Sequence, residues 1–419
     1  MQERDSVSQV TDDPFAAIKL PEYKKLVSGR FFFIMALRMM STLVGWWIYE
    51  LTNDPFAIGL IGLSEVIPAI SMALYSGHVI DKSEKRGLLL RCVFLYSCAA
   101  GVLLFLSTPF TYSHITKTQI SYCIYFVIFC TGILRSFTGP NFTALIGLIV
   151  PRPLLQNATT WSQGSWLSAS VIGHAAGGFL IAIAGNTGTL IVICSSMLVS
   201  LILLSRLGAR PVLKPMGEGR TWESMQEGIR FVYKTKELLG AFALDMFAVL
   251  FGGAVAMVPV YARDILKIGP LGFGWLNAAS DIGAIVMVIM LTLMPLRKKQ
   301  GLKLFFAVGG FGLCIVIFGL SQWFVVSFVA LVFAGMLDGV SVVIRGTVMQ
   351  LKTPDHLRGR VGSVSSMFIN SSNELGQFES GVMARLLGVV PSVVFGGCMT
   401  MAVVVATWFK MPALRKFQY

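Results

Sequence analysis

Several ionisable side chains lie where an apolar chain accommodates them worst. Arg38, Glu65, Arg135, His174, Asp281, Asp338, Arg345, Glu374 and Glu379 all fall inside long hydrophobic stretches. A charge at the centre of a bilayer costs roughly 2.5–3.5 kcal/mol on insertion scales. Such residues must therefore face one another or a water-filled chamber. Carboxylates so placed can take up and release protons, and arginines can hold or tune them. Histidine is the side chain whose ordinary titration falls between pH 5 and 8, so His174 is either a proton carrier or a neutral hydrogen-bond partner of a neighbouring helix.

The spacing of further polar groups tells more. Ser363, Ser366, Asn370, Asn373, Glu374, Gln377 and Gly381 recur at intervals of three and four, which puts them on one helix face. In a membrane such a stripe lines a wet cavity or a buried helix contact. Glu379 falls on another face and is expected to form a structural pair. Gln163, Ser170 and His174 share a face in a similar way. Trp46, Trp47, Tyr49, Phe247 and Phe251 could add apolar lining.

No Ser-His-Asp set, zinc-ligand spacing, phosphate-binding loop or Gly-rich nucleotide fingerprint is present, so no enzyme chemistry is expected. No cofactor or metal is expected either. The seven cysteines lie in apolar runs without metal-ligand spacing and read as packing residues. His78 and His356 are expected at the surface.

These residues need helices to hold them. The 419-residue chain is 55% hydrophobic and only 13% charged, about half the charged fraction of a soluble domain. That leaves too little polar surface for a water-soluble globule, so an all-α membrane protein is expected. Windows of about 20 apolar residues give twelve spans: 30–51, 56–76, 87–107, 119–139, 162–184, 188–206, 239–261, 272–294, 303–321, 324–348, 362–386 and 391–409. The division is a segment 1–29, a bundle 30–206, a polar connection 207–238, a bundle 239–409 and a tail 410–419. The first residues lack the apolar core of a signal peptide.

The net charge of +13 sits in the breaks, which excludes a nucleic-acid surface and points to membrane topology. Lys24, Lys25, Lys82, Lys85, Arg86, Arg152, the mid-chain connection, Arg297 to Lys299, Arg358, Arg360, Arg415 and Lys416 gather on one side. The positive-inside rule makes that side cytoplasmic, with both termini on it. The stretch GHVIDKSEKRG, residues 77–87, is the break between spans two and three on that side.

The halves resemble each other. Ala36-Leu37-Arg38-Met39 matches Ala243-Leu244-Asp245-Met246, and Gly132-Ile133-Leu134-Arg135 matches Gly335-Met336-Leu337-Asp338. Pro151 matches Pro354, and Ile172-Gly173 through Gly178 matches Leu375-Gly376 through Gly381. Matches in one order and near one spacing point to a duplicated unit, the architecture of many secondary transporters. Opposite charges at equivalent places suggest Arg135 pairing with Asp338 and Arg38 with Asp245 across a pseudo-two-fold axis. Such pairs either release as the halves move or serve assembly alone.

Gly77-x-x-x-Asp81-Lys82 followed by Lys85-Arg86 resembles the loop between spans two and three of the major facilitator superfamily. Glu84 stands where that family usually has glycine. YELTNDPFAIGLIGLSEVIPA (49–69), TPDHLRGRVGSV (353–364) and NELGQFESG (373–381) resemble the multidrug and siderophore exporter branch that includes the enterobactin exporter. SVIGHAAGG (170–178) resembles the family's fifth-span motif, with His174 in place of proline and Gly173, Gly177 and Gly178 as packing residues.

The resemblance implies twelve helices in two pseudo-symmetric six-helix bundles. It implies a secondary transporter exporting a small amphiphilic molecule, drug or siderophore-like, by proton antiport and alternating access. Gly77, Asp81, Lys82 and Arg86 would gate the cytoplasmic side: Gly77 by letting two helices approach, Asp81 by capping a helix, Arg86 by pairing with an acid. Arg135, matching the fourth-span arginine of the family, would tune a nearby acid. Arg38, Glu65, Arg135, His174, Asp281, Asp338, Asn370, Asn373, Glu374 and Gln377 form the candidate proton and substrate set. An uncoupled facilitator or lysolipid flippase of the same fold is the alternative. The expected partners are a small-molecule substrate, protons and membrane lipid, with the protein a monomer in the inner membrane.

Overall fold

The computed structural model describes residues 13–209, 221–294, 299–354 and 357–418. The side chains of residues 73, 74, 78, 81, 221–225, 254 and 370 fall outside that description. The expectations for His78, Asp81, Asn370, Arg297, Lys298 and His356 therefore concern groups outside the described parts.

Among the described residues the protein is helical without strands. The long helices are α1 (Pro21–Thr52), α2 (Pro55–Lys82), α3 (Lys85–Leu106), α4 (Lys117–Ile149) and α5 (Leu155–Ser205). After the mid-chain connection come α6 (Thr221–Lys234), α7 (Lys236–Phe251), α8 (Gly269–Leu293), α9 (Gln300–Leu320), α10 (Phe324–Lys352), α11 (Arg358–Leu387) and α12 (Val389–Lys410).

Local chemistry explains the boundaries. Pro21 and Pro55 sit in first turns, where a missing N–H costs nothing. Asp54 caps α2 by accepting from the Phe56 N–H at 2.9 Å. Thr116 and Gln119 form a reciprocal capping box at α4. Glu84, the departure from the family's glycine, caps α3: it accepts from the Arg86 N–H at 3.0 Å and from the Gly87 N–H at its other oxygen. The glutamate thus replaces a flexible turn with a fixed helix start.

Several helices differ from the windows read off the sequence. α1 starts at Pro21 rather than near 30, and α4 runs to Ile149 rather than 139. Apolar windows miss helical turns that project beyond the hydrocarbon. Spans five and six follow each other without a loop over Leu155–Ser205, as two helices that meet at a kink at Gly185 (φ 65°, ψ −169°). At 1.5 Å per residue the two together hold about 76 Å of helix, more than twice a hydrocarbon core of about 30 Å. Glycine enters the positive-φ region without a Cβ penalty, so Gly185 turns the chain without a loop.

Span seven is not a continuous helix. α7 ends at Phe251, a 3₁₀ turn follows over Gly253–Met257, and a π turn covers Tyr261–Ile265. The mid-chain connection, read as a polar linker, contains α6.

By length and composition, ten segments among the described residues can cross a membrane. Arg152–Ser205 counts once among them, and α11 is absent because its polar stripe lowers its hydropathy. α11 nevertheless packs within the bundle, against α2, α7 and α12.

The helices form two halves, α1–α5 and α7–α12, which meet along two seams. α2 packs on α11, and α5 packs on α8. One apolar core, around Phe33, Trp47 and Phe142, belongs to the first half alone. A second, around Leu244, Phe305 and Ile344, belongs to the second half and α6. A third joins the halves: it holds Tyr49 and Ile58 from the first with Tyr261, Phe273 and Phe318 from the second. It lies at the end opposite the 77–87 turn.

Candidate functional site

Two glycine contacts set the seams. A Cβ on Gly178 of α5 would come within 2.5 Å of the Gly274 Cα in α8. A Cβ on Gly381 of α11 would come within 2.7 Å of the Gly59 Cα in α2. Backbones this close leave no room for a side chain. In lipid, where apolar burial between helices gains little, such packing holds helices together.

The two contacts are related by the repeat. Gly178 and Gly381 are the equivalent glycines of α5 and α11. Gly59 and Gly274 each stand four residues after a helix-starting proline, Pro55 and Pro270. The register continues: Gly132 of α4 abuts the Glu65 carbonyl, and its equivalent Gly335 of α10 abuts the Ser280 carbonyl. The doubled Pro-x-x-x-Gly was a visible signal for this seam that the motif comparison of the halves passed over.

The charges follow the seams. In α4, Arg135 Nη1 bonds Glu65 of α2 at 2.5 Å and Glu374 of α11 at 2.6 Å. One guanidinium nitrogen thus bridges a carboxylate of its own half and a carboxylate of the other. Glu374 is 6% exposed, while the Arg135 side chain is 39% exposed and faces the space between the halves. Glu374 Oε2 is buried without a hydrogen-bond partner.

At the α5/α8 seam, Ser170 Oγ donates to Asp281 Oδ2 at 2.5 Å. His174 Nε2 lies 3.8 Å from the same oxygen, and its Nδ1 is 2.8 Å from Thr42 Oγ1 of α1. His174 replaces the family's proline with no bend in α5, since it leaves the helix hydrogen bonds intact.

The expected cross-half pairs are corrected. Among the described residues Arg135 does not pair with Asp338, nor Arg38 with Asp245. Asp245 pairs with Arg345 inside the second half, both under one-tenth exposed. Arg38 instead lies over the Trp166 ring, 5.2 Å from its centroid. Asp338 is half-buried and forms no ion pair among the described residues. Glu379, expected in a pair, leaves Oε1 buried without a partner. The error has one source: residues equivalent by sequence repeat are related by the axis, and need not touch across it.

The α11 stripe divides. Glu374, Gln377 and Gly381 face α2, where a Cβ on Gly62 would lie 2.8 Å from Gln377 Cβ. Asn373 is exposed and donates back to the Ile369 carbonyl at 3.0 Å. Ser363 bonds its own helix at Gly359. Gly173 and Gly177 abut α1 at Met35, Arg38, Met39 and Thr42. Trp47 is a core residue whose Nε1 donates to Tyr112.

The two ends of the molecule differ. At the end away from the 77–87 turn, Tyr49 donates to Asp264, and Arg263 donates to the Tyr49 carbonyl at 3.3 Å. Arg385 lies 4.0 Å from Asp54 and 5.2 Å from the Phe56 ring. Sequence reading passed over this closure, because these residues lie at helix ends with no motif. At the basic end two hydrogen bonds lie within the first half: Arg86 donates to the Ser205 carbonyl at 2.6 Å, and Asn141 to the Lys85 carbonyl at 2.9 Å. A Cβ on Gly77 would meet nothing within 4 Å, and Lys82 is exposed. Among the described residues, the close approach expected at Gly77 and the acid partner expected for Arg86 are therefore not present in this conformation.

Two helical halves that meet along paired seams, with charges bridging them and ten segments long and apolar enough to cross a membrane, define an integral membrane protein of two helical bundles. The Major Facilitator Superfamily model matches residues 26–377, and the chain belongs to that family. It is 22% identical over 399 residues to the enterobactin exporter EntS of Shigella boydii serotype 18, covering 95% of this chain and 94% of that one. The EntS protein of Escherichia coli O1:K1 / APEC gives the same identity and coverage. Among solved structures, a POT family transporter in complex with 5-aminolevulinic acid matches with TM-score 0.71 at 15% identity, covering 94% of this chain and 96% of that chain. The nucleoside transporter NupG matches with TM-score 0.65 at 15% identity, covering 94% of this chain and 99% of that chain. These structural likenesses show the fold.

Proposed function

We propose that this protein is a proton-coupled exporter of a small amphiphilic organic molecule, of drug or siderophore type, in the inner membrane. The observation that carries this reading is the Arg135 bridge, 2.5 Å to Glu65 and 2.6 Å to Glu374. One cation shared by carboxylates on opposite halves is a contact that protonation weakens. When Glu374 takes a proton it no longer attracts Arg135 as an anion, and Arg135 falls back on Glu65. The α2/α11 seam then loses its charge tie, and the equilibrium between conformations shifts by that difference. The distant likeness to EntS supports export of a siderophore-like molecule.

On this reading twelve crossings form the two halves: α5 crosses twice through Gly185, and polar α11 crosses beside α2. The basic end is cytoplasmic by the positive-inside rule, with both termini there. The conformation is then closed outside and parted inside. Gly77, Asp81 and Arg86 engage the second half only when the inside closes. Protons, lipid and the substrate are the partners of a monomer that performs no chemical conversion.

The test is flux of enterobactin and of amphiphilic dyes in proteoliposomes under an imposed pH gradient. Gradient-driven flux is expected from the native chain, with about a tenfold or larger loss of gradient response in Glu374→Gln. Flux indifferent to the gradient points to an uncoupled facilitator, and flux of lysolipid alone to a flippase.

A further inference from the structure

The Arg135 bridge leaves two groups in the same region uncommitted. Arg38 of α1 stands one turn from Thr42, and Trp166, Ser170 and His174 of α5 follow at intervals of four, on one face. Thr42 meets His174, and Arg38 meets the Trp166 ring. Arg38 also lies within electrostatic reach of Asp281 and Glu374. Yet among the described residues no carboxylate comes within ion-pair distance of it. Asp281 is held by Ser170, and Glu374 Oε1 by Arg135. Arg135 and Arg345, by contrast, are both paired with acids.

The ring gives Arg38 only part of what an anion would, about 0.5–2 kcal/mol. On the acid side, Glu374 is 6% exposed and its Oε2 is buried with no partner. An unsatisfied buried acceptor costs about 1–3 kcal/mol. Arg38 thus keeps a guanidinium fork without an anion among the described residues, and Glu374, within its electrostatic reach, keeps an acceptor oxygen that is shut in and unpartnered in this conformation.

We propose that Arg38 and Trp166 form a substrate subsite for a planar anionic group, and that Glu374 Oε2 accepts a hydroxyl or amino donor from the same molecule. The substrate is then an organic acid with an apolar body and a separate hydrogen-bond donor. The guanidinium matches a carboxylate or similar planar anion through two parallel bonds, which a point charge cannot do. This deepens the exporter reading and rests on it.

Calorimetric titration of the full chain in lipid nanodiscs tests it with three matched probes. These are 3-phenyllactate, its amide (no anion) and 3-phenylpropionate (no hydroxyl). Phenyllactate should bind about tenfold or more tightly than the amide, and about threefold more tightly than phenylpropionate. Arg38→Gln should abolish the acid-over-amide preference. Glu374→Gln should abolish the preference for the hydroxyl. Arg38→Lys keeps the charge and should retain a weakened acid preference, which keeps the test open should Arg38→Gln not fold.

Equal affinity for acid and amide, binding of none of the probes, or an acid preference that survives Arg38→Gln overturns the subsite. Gradient-driven flux of dyes without any acid preference rejects the subsite alone. Acid preference without response to the gradient rejects the coupling alone.

Discussion

The α2/α11 and α5/α8 seams share a packing scheme and differ in chemistry. Each is built on a glycine pair, Gly59 with Gly381 and Gly274 with Gly178, and each glycine of α2 or α8 follows its proline by four. Around these pairs one seam has a guanidinium between two carboxylates, and the other a serine and a histidine on a single carboxylate. Duplication supplied equivalent backbones, and the side chains then diverged. Only one seam holds a charge tie that lasts while its acids stay ionised. The other holds a hydrogen bond and a looser 3.8 Å approach, the partner whose geometry is easier to change.

That contrast can be broken at the glycines first. Gly274→Val and Gly59→Val should each destabilise by about 3 kcal/mol, the upper range for overpacking a filled contact. Because backbone stands at 2.5–3.0 Å from the added carbons at these pairs, neither seam can relax by a rotamer change. Thermal melts in detergent read the loss. Equal effects support symmetric packing, and a twofold difference in the loss of stability contradicts it.

The charges come next. Arg135→Gln leaves Glu374 buried beside Glu65 without a cation. Breaking a fully buried pair costs about 3–5 kcal/mol, and the partial exposure of Arg135 and Glu65 lowers this to about 2 kcal/mol. Chemical unfolding with Arg135→Gln and Glu374→Gln alone and together measures the coupling. A coupling energy near zero would mean that the bridge does not hold the seam.

On the other seam the expected effects are smaller. Ser170→Ala removes one bond to a carboxylate and should cost about 1–2 kcal/mol. His174→Gln should cost about 1 kcal/mol or less, since glutamine can keep a bond to Thr42. If His174→Gln abolishes gradient response in the flux assay while Glu374→Gln leaves it intact, the roles of the two seams are reversed.

Much of the fold was legible in the sequence because a membrane is a demanding solvent. Every backbone polar group in it must be satisfied within the chain, so long apolar runs become helices. The repeat between Ala36–Met39 and Ala243–Met246 pointed to a duplicated unit, and the 77–87 motif carried the family resemblance. The polar stripe on α11 likewise announced itself by spacing. The breaks in span seven did not, because the 3₁₀ turn over Gly253–Met257 answers to close packing against α11, where a Cβ on Gly253 would sit 2.5 Å from the Gly376 carbonyl carbon. Composition carries no trace of that contact.

Pattern alone, then, fixed where the long apolar helices run, which faces are polar and which ionisable groups had to find shelter from lipid. It could not fix who pairs with whom. Arg135 chose Glu65 and Glu374 over Asp338, and Asp245 chose Arg345 over Arg38, because pairing depends on distances of a few ångströms set by how two helices cross. Coulomb attraction falls steeply over that range, and sequence separations of 70 and 239 residues contain no information about it.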